Sequence, residues 1–75
     1  MNIIALELKL KEMNIPEDLY SFQGGLPNEK LCLVKEDTWK IYYSEHGHRT
    51  SEKEYDTEEE ACDAFFRKIK RSRSL

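Results

Sequence analysis

Between Leu31 and Ser44 the chain holds two strand-like runs, Leu31-Cys32-Leu33-Val34-Lys35 and Thr38-Trp39-Lys40-Ile41-Tyr42-Tyr43-Ser44, separated by Glu36-Asp37 alone. Both are rich in aliphatic and aromatic residues, and so short a connection joins them as an antiparallel hairpin. With 75 residues in all, there is room for one domain and one thin core. The flanking segments must therefore complete the sheet and cover it.

They carry the signals to do so. Asn2 to Asn14 places Ile3, Leu6, Leu10 and Met13 at helical spacing among good helix formers, and Pro16 stops the helix near Asn14. The alternation of Leu6, Leu8 and Leu10 competes as a strand, but length and the lack of β-branching after Ile4 favour the helix. Leu19 to Phe22 reads as a short strand closed by Gln23-Gly24-Gly25. Gly47 allows the turn into a last strand over Thr50 to Tyr55. A final helix, Thr57 to Lys70, starts with a capping box, Thr57 with Glu60, and carries the apolar stripe Ala61, Cys62, Phe65 and Ile69.

The fold class is thus α+β, a single small domain of order α-β-β-β(-β)-α. A three- to four-stranded antiparallel sheet is covered on one face by two helices. Residues 1–71 form the domain and 72–75 a frayed tail. Strand alternation then turns Trp39, Ile41 and Tyr43 towards the helices and Lys40, Tyr42 and Ser44 away from them. With Tyr55 inward, Glu52 and Glu54 join Tyr42 on an open face that is acidic and aromatic.

Charge follows an uneven order. The net charge is −3, which gives no global attraction to phosphate backbones. From Arg49 to Phe66 there are two basic and seven acidic residues, and the last nine residues carry five basic ones and no acid. Helix capping and the helix dipole explain Glu58 to Glu60 at one end and the cations at the other. They do not explain Glu52, Glu54 and Asp56, for which gatekeeper charges on a solvated edge strand are the plain reading.

The element order is also that of double-stranded RNA-binding domains, which resemble this chain in order only. Such domains place lysines at the start of the last helix, whereas this sequence has Thr57-Glu58-Glu59-Glu60. RNA binding through the basic helix end is accordingly the weakest of the functional readings. His46 and His48 with Cys32 and Cys62 supply the inventory of a zinc site, but the cysteines lie 30 residues apart and at core positions. No metal or other cofactor is expected. The two thiols are expected buried and reduced rather than bridged.

His46, His48, Arg49 and Glu52 would suit acid–base cleavage of RNA, yet the acids beside them oppose a polyanion. Cys62 follows Glu58 and Glu59, which disfavours its thiolate. The chain is expected not to be an enzyme. It has no positive segment before its first apolar residues and no long apolar run, so the expected location is the cytoplasm.

Taken together, Asn14-Ile15-Pro16-Glu17-Asp18-Leu19-Tyr20-Ser21, Leu31 to Val34, Trp39 to Glu45 and Glu54-Tyr55-Asp56-Thr57-Glu58-Glu59-Glu60-Ala61-Cys62 resemble a group of small bacterial immunity proteins that accompany polymorphic secreted toxins. The likeness is one of overall order and spacing over nearly the whole chain. It implies a non-catalytic cytosolic protein that binds and neutralises a toxin domain, often a basic nuclease. An acidic, aromatic face suits such a partner, with Tyr42 and Tyr20 as anchors, Lys40 beside them, and Glu52 and Glu54 steering. The alternative is a structural or regulatory interaction domain acting as a homodimer.

Overall fold

The structure, a computed structural model, describes residues 1–73, with side chains to 71. Its elements are α1 (Ile3–Glu12), a single 3-10 turn (Glu17–Leu19), β1 (Tyr20–Ser21), β2 (Lys30–Lys35), β3 (Trp39–Glu45), β4 (His48–Tyr55) and α2 (Glu58–Arg73). The sheet runs β1-β2-β3-β4, antiparallel except for β1, which lies parallel to β2. The small α+β architecture and its α-β-β-β-β-α order match the sequence reading. α2 continues to Arg73, two residues past the expected domain end, and the remainder of the expected tail lies outside the described residues.

Local chemistry sets each boundary. The Asn2 side chain accepts a hydrogen bond from the Ala5 N–H at 2.8 Å and opens α1. Asn14, at φ 57°, closes it: the Ile15 N–H donates to the Leu10 carbonyl and the Asn14 N–H to that of Lys11, both at 3.0 Å. This is a Schellman motif, and Ile15 and Leu10 are both buried, as its apolar contact requires. The helix therefore ends through a left-handed asparagine, two residues ahead of the proline. At the start of α2 the Glu60 N–H donates to Thr57 Oγ1 at 3.1 Å, while the Glu60 carboxylate accepts from the Thr57 hydroxyl at 3.3 Å. His46 and Gly47, at φ 50° and 78°, make the two-residue turn between β3 and β4.

The main core lies between the helices and one face of the sheet. Leu6 and Leu10 of α1 and Ala61, Cys62, Phe65 and Ile69 of α2 meet Tyr20, Leu31, Leu33 and Ile41. All four members of the α2 stripe are buried. Phe65 is the largest helix side chain there, and burying such a ring stabilises by roughly 1.5–3 kcal/mol. The two helices also share a polar joint: Glu58 Oε2 accepts from the Ile3 N–H at 2.9 Å, and Asp63 pairs with the Met1 amino group at 3.6 Å. Glu58 thus satisfies one of the orphaned donors at the start of α1 from the first turn of α2.

The opposite sheet face is not open, which corrects one expectation. A parallel β1 cannot reach β2 through a hairpin, so residues 22–29 have to cross the sheet between them. They cross the face away from the helices. The Gly25 carbonyl accepts from the Tyr42 hydroxyl at 2.8 Å, and a Cβ at Gly24 would lie 3.3 Å from Val34 Cγ1. Beneath this strap Cys32, Val34 and Tyr42 form a second small core.

Candidate protein-binding face

Two of the expected contact residues belong to the interior. Tyr42 does point away from the helices, but it is fully buried under the strap, with Cys32 its cross-strand partner. Tyr20 pairs in register with Leu31 and shares its side of the sheet, so its ring goes into the main core. There it stands edge-on to Phe65 at 6.5 Å and tilted against Phe22 at 5.3 Å. Neither tyrosine is an exposed anchor. Burial, followed by the carboxylates of Glu17 and Glu7, raises the Tyr20 hydroxyl above its ordinary range.

What remains on that face is charged. Lys40 lies opposite Glu54 and pairs with it at 3.7 Å, and with Glu36 of the β2–β3 turn at 3.2 Å. Arg49 reaches the same Glu36 at 3.1 Å and Glu52 at 3.3 Å. Its guanidinium also lies over the Tyr42 ring, 4.1 Å from the centroid. Glu36 therefore sits between two cations, and their hydrogen bonds, Arg49 first and Lys40 second, hold its carboxyl below the usual carboxylate range. In turn, hydrogen bonding to Glu36 raises the pKa of Lys40 and is the first cause of the rise at Arg49.

Arg49 belongs to this group only because β4 is bulged. Ile41 sits opposite Lys53 and Tyr43 opposite Thr50, so Ser51 and Glu52 together face Tyr42. Ser51 takes φ 54°, the left-handed conformation that the extra residue demands. Strict alternation would have turned Arg49 to the helix side while Glu52 and Glu54 stayed outside. With the bulge, Arg49, Glu52 and Glu54 share one face. Sequence reasoning placed Glu52, Glu54 and Lys40 there but missed Arg49, since no glycine marks the bulge, and Glu36, which lies in the β2–β3 turn outside any strand alternation.

The exposures within the network are ordered. The Lys40 side chain is 16% exposed and its partner Glu54 61%; Arg49 is 31% exposed, against 39% for Glu52 and 37% for Glu36. Lys40 lies innermost and Glu54 outermost, with Arg49, Glu36 and Glu52 about equally exposed between them. β4, which carries Glu52 and Glu54, is also the sheet's edge and is exposed along nearly its whole length.

The other constellations are dispersed. Cys32 and Cys62 are free and buried, and lie in separate cores on the two sides of the sheet. Among the described residues no group of three or more His, Cys, Asp or Glu is placed to hold a metal ion. His46 is held in the hairpin turn, where its N–H donates to Asn28 Oδ1 at 3.2 Å. His48 precedes Arg49 in β4 and so alternates onto the other face from Arg49 and Glu52. No helix among the described residues is long and apolar enough to cross a membrane. No known protein family, curated protein or solved structure matches the chain.

Proposed function

We propose that this chain is a non-catalytic binding protein of the immunity type, which neutralises a cognate toxin domain in the cytoplasm. The contact is made through the carboxylate rim of β4 and the β2–β3 turn. One observation carries the reading: Lys40 and Arg49 are both paired within a patch where three carboxylates, Glu36, Glu52 and Glu54, outnumber them and Glu54 is the most exposed member. A surface so ordered presents negative charge to a partner even though cations lie within it. Its cations are already committed, which holds the carboxylates in position before an encounter. Such a patch competes with nucleic acid for the basic groove of a nuclease and speeds association through complementary charge.

The aromatic part of the sequence-based expectation is replaced. Tyr42 acts from below, by holding Arg49 in place, and makes no contact itself. The test is a titration of this chain with the toxin domain encoded beside it, at low and moderate salt. Glu52→Lys with Glu54→Lys is expected to slow association and weaken binding. Unchanged affinity would remove this face from the interface, and a failure of the wild-type chain to bind or inhibit that domain would end the immunity reading. The homodimer alternative would use the free edge of β4, and sedimentation as a tight dimer in the absence of toxin would favour it.

A further inference from the structure

The helix side of the sheet has its own polar site, where β4 passes beneath the second half of α2. Lys53 lies opposite Ile41 and Tyr55 opposite Trp39, which puts both on the helix side of β4. With Arg67, Lys68 and Arg71 of α2 they line a groove of about 180 Å³. Four cations line it and, among the described residues, no carboxylate does. Of the other cations, Lys11, Lys40 and Arg49 each meet an acid, whereas Lys9, Lys30, Lys35 and Lys70 form no ion pair among the described residues, so what sets the groove apart is the convergence of its cations. Lys53, Arg67 and Lys68 form no ion pair among the described residues. Like charges gathered around one groove repel, and an anion placed among them is attracted by all.

Lys68 is shared with a second, adjoining cavity of about 430 Å³, lined by Leu19, Leu31, Tyr43 and Ile69, with Glu29 and Ser51 as its other polar members. That volume falls in the range of roughly 300–1,000 Å³ in which proteins hold small organic ligands. Glu29 and Tyr43 line the cavity together, and burial, then the Glu29 and Glu45 carboxylates, raise the Tyr43 hydroxyl above its ordinary range. The cavity thus combines an apolar wall, an aromatic ring and a carboxylate acceptor, and Lys68 borders both it and the cationic groove.

A ligand filling both must carry an anionic end and a flat or apolar body with a hydrogen-bond donor. An alkyl phosphate satisfies the first two needs but would strip water from Glu29 and Ser51 without replacing its hydrogen bonds, which is costly. A nucleobase with an exocyclic amine replaces them. We propose that the groove and cavity form a binding site for an amine-bearing nucleoside monophosphate. Its phosphate lies against Lys53, Arg67 and Lys68 in charge-assisted hydrogen bonds, and its base lies on Tyr43 between Leu31 and Ile69, donating to Glu29. The site lies on the far side of the sheet from the carboxylate rim and does not depend on the immunity reading.

The test uses the whole chain at low salt, with calorimetry and the fluorescence of Trp39, the chain's sole tryptophan and the cross-strand neighbour of Tyr55. Adenosine monophosphate, purine riboside monophosphate, adenosine, inorganic phosphate and oligoadenylates of increasing length are compared. Adenosine monophosphate is expected to bind about tenfold or more tighter than phosphate, adenosine or the purine riboside analogue, which has no amine and no other donor on that edge. Lys53→Glu with Lys68→Glu should weaken it by about tenfold or more while circular dichroism stays unchanged, and the single exposed change Lys53→Glu reads the same effect if the pair perturbs folding. No binding of adenosine monophosphate at millimolar concentration, equal binding of phosphate alone, or indifference to Lys53→Glu would overturn the proposal. Affinity that climbs with oligoadenylate length would also overturn it, in favour of a nucleic-acid surface.

Discussion

Arg49 sits over the ring of Tyr42, its guanidinium carbon 4.1 Å from the centroid, and joins the second core to the charged patch above it. The ring faces a cation that is also hydrogen-bonded to Glu36 and Glu52, while the tyrosine hydroxyl is anchored from the side by Gly25. A cation held over an aromatic face contributes about 0.5–2 kcal/mol, more as water is excluded. The planar guanidinium can serve the ring and the Glu36 carboxylate together. A lysine cannot.

Arg49→Lys should therefore destabilise the chain by about 0.5–1 kcal/mol, and Arg49→Ala by about 1–2 kcal/mol, since the latter also uncovers Tyr42. Urea unfolding of the two variants beside the wild type measures the difference. Equal stability of all three would show that the contact contributes nothing.

The two buried tyrosines should respond oppositely to loss of the hydroxyl. Tyr42 donates to Gly25, so Tyr42→Phe should cost about 0.5–1.5 kcal/mol and loosen the strap. The Tyr20 hydroxyl has no hydrogen-bond partner among the described residues, so Tyr20→Phe should leave stability equal or higher. Thermal melts of both, with hydrogen exchange across residues 22–29, separate the cases.

Ser51 stores strain that glycine would not. An L-residue in the left-handed region costs roughly 1–2 kcal/mol, and glycine visits that region freely. Ser51→Gly is expected to stabilise by up to about 1 kcal/mol, part of the gain being lost to the freer unfolded chain. Ser51→Val should destabilise and shift the amide resonances of Arg49 and Glu52 as the bulge is disturbed.

Acid should weaken the outer network. The folded Glu36 carboxyl titrates below its unfolded value, so its contribution is complete above the unfolded pKa and is lost as pH falls through the folded one. Between pH 5 and 3 the wild type should lose stability more steeply than Glu36→Gln, with urea midpoints as the readout. A parallel decline in both would mean that other carboxylates set the acid limb.

Alkali acts on the main core. Burial first, then Glu58 and Asp63, push the Cys62 thiol up to about 11. The unfolded thiol ionises near pH 8.5, so the unfolded state sheds this proton first and stability falls with rising pH between about 8.5 and 11. Cys62→Ala should show a shallower decline over that window, though lower stability overall. In the folded wild type at pH 8, Cys62 should resist alkylation until the chain opens.

Several elements were legible because their information is local. The α2 stripe, the Thr57–Glu60 cap, the hairpin at Glu36-Asp37, whose turn also takes in Thr38, and the inward set Trp39, Ile41 and Tyr43 follow from spacing and turn chemistry within a few residues. The end of α1 was legible through the wrong residue: Pro16 was visible, whereas the left-handed Asn14 made the stop. Lys40, Glu52 and Glu54 were correctly assigned a shared face, since alternation on paired strands requires it.

By itself, then, the sequence determined the elements, the helix-covered core and which faces of β3 carry apolar side chains, since periodicity and capping act between near neighbours. Only the tertiary structure decided that β1 runs parallel, that residues 22–29 cross the outer face, and that Ser51 bulges. Those three features turn Tyr42 and Tyr20 from exposed anchors into core residues and bring Arg49 beside Glu36. Each depends on pairing between distant segments, where a one-residue change of register reverses every side chain. No local pattern records such a choice.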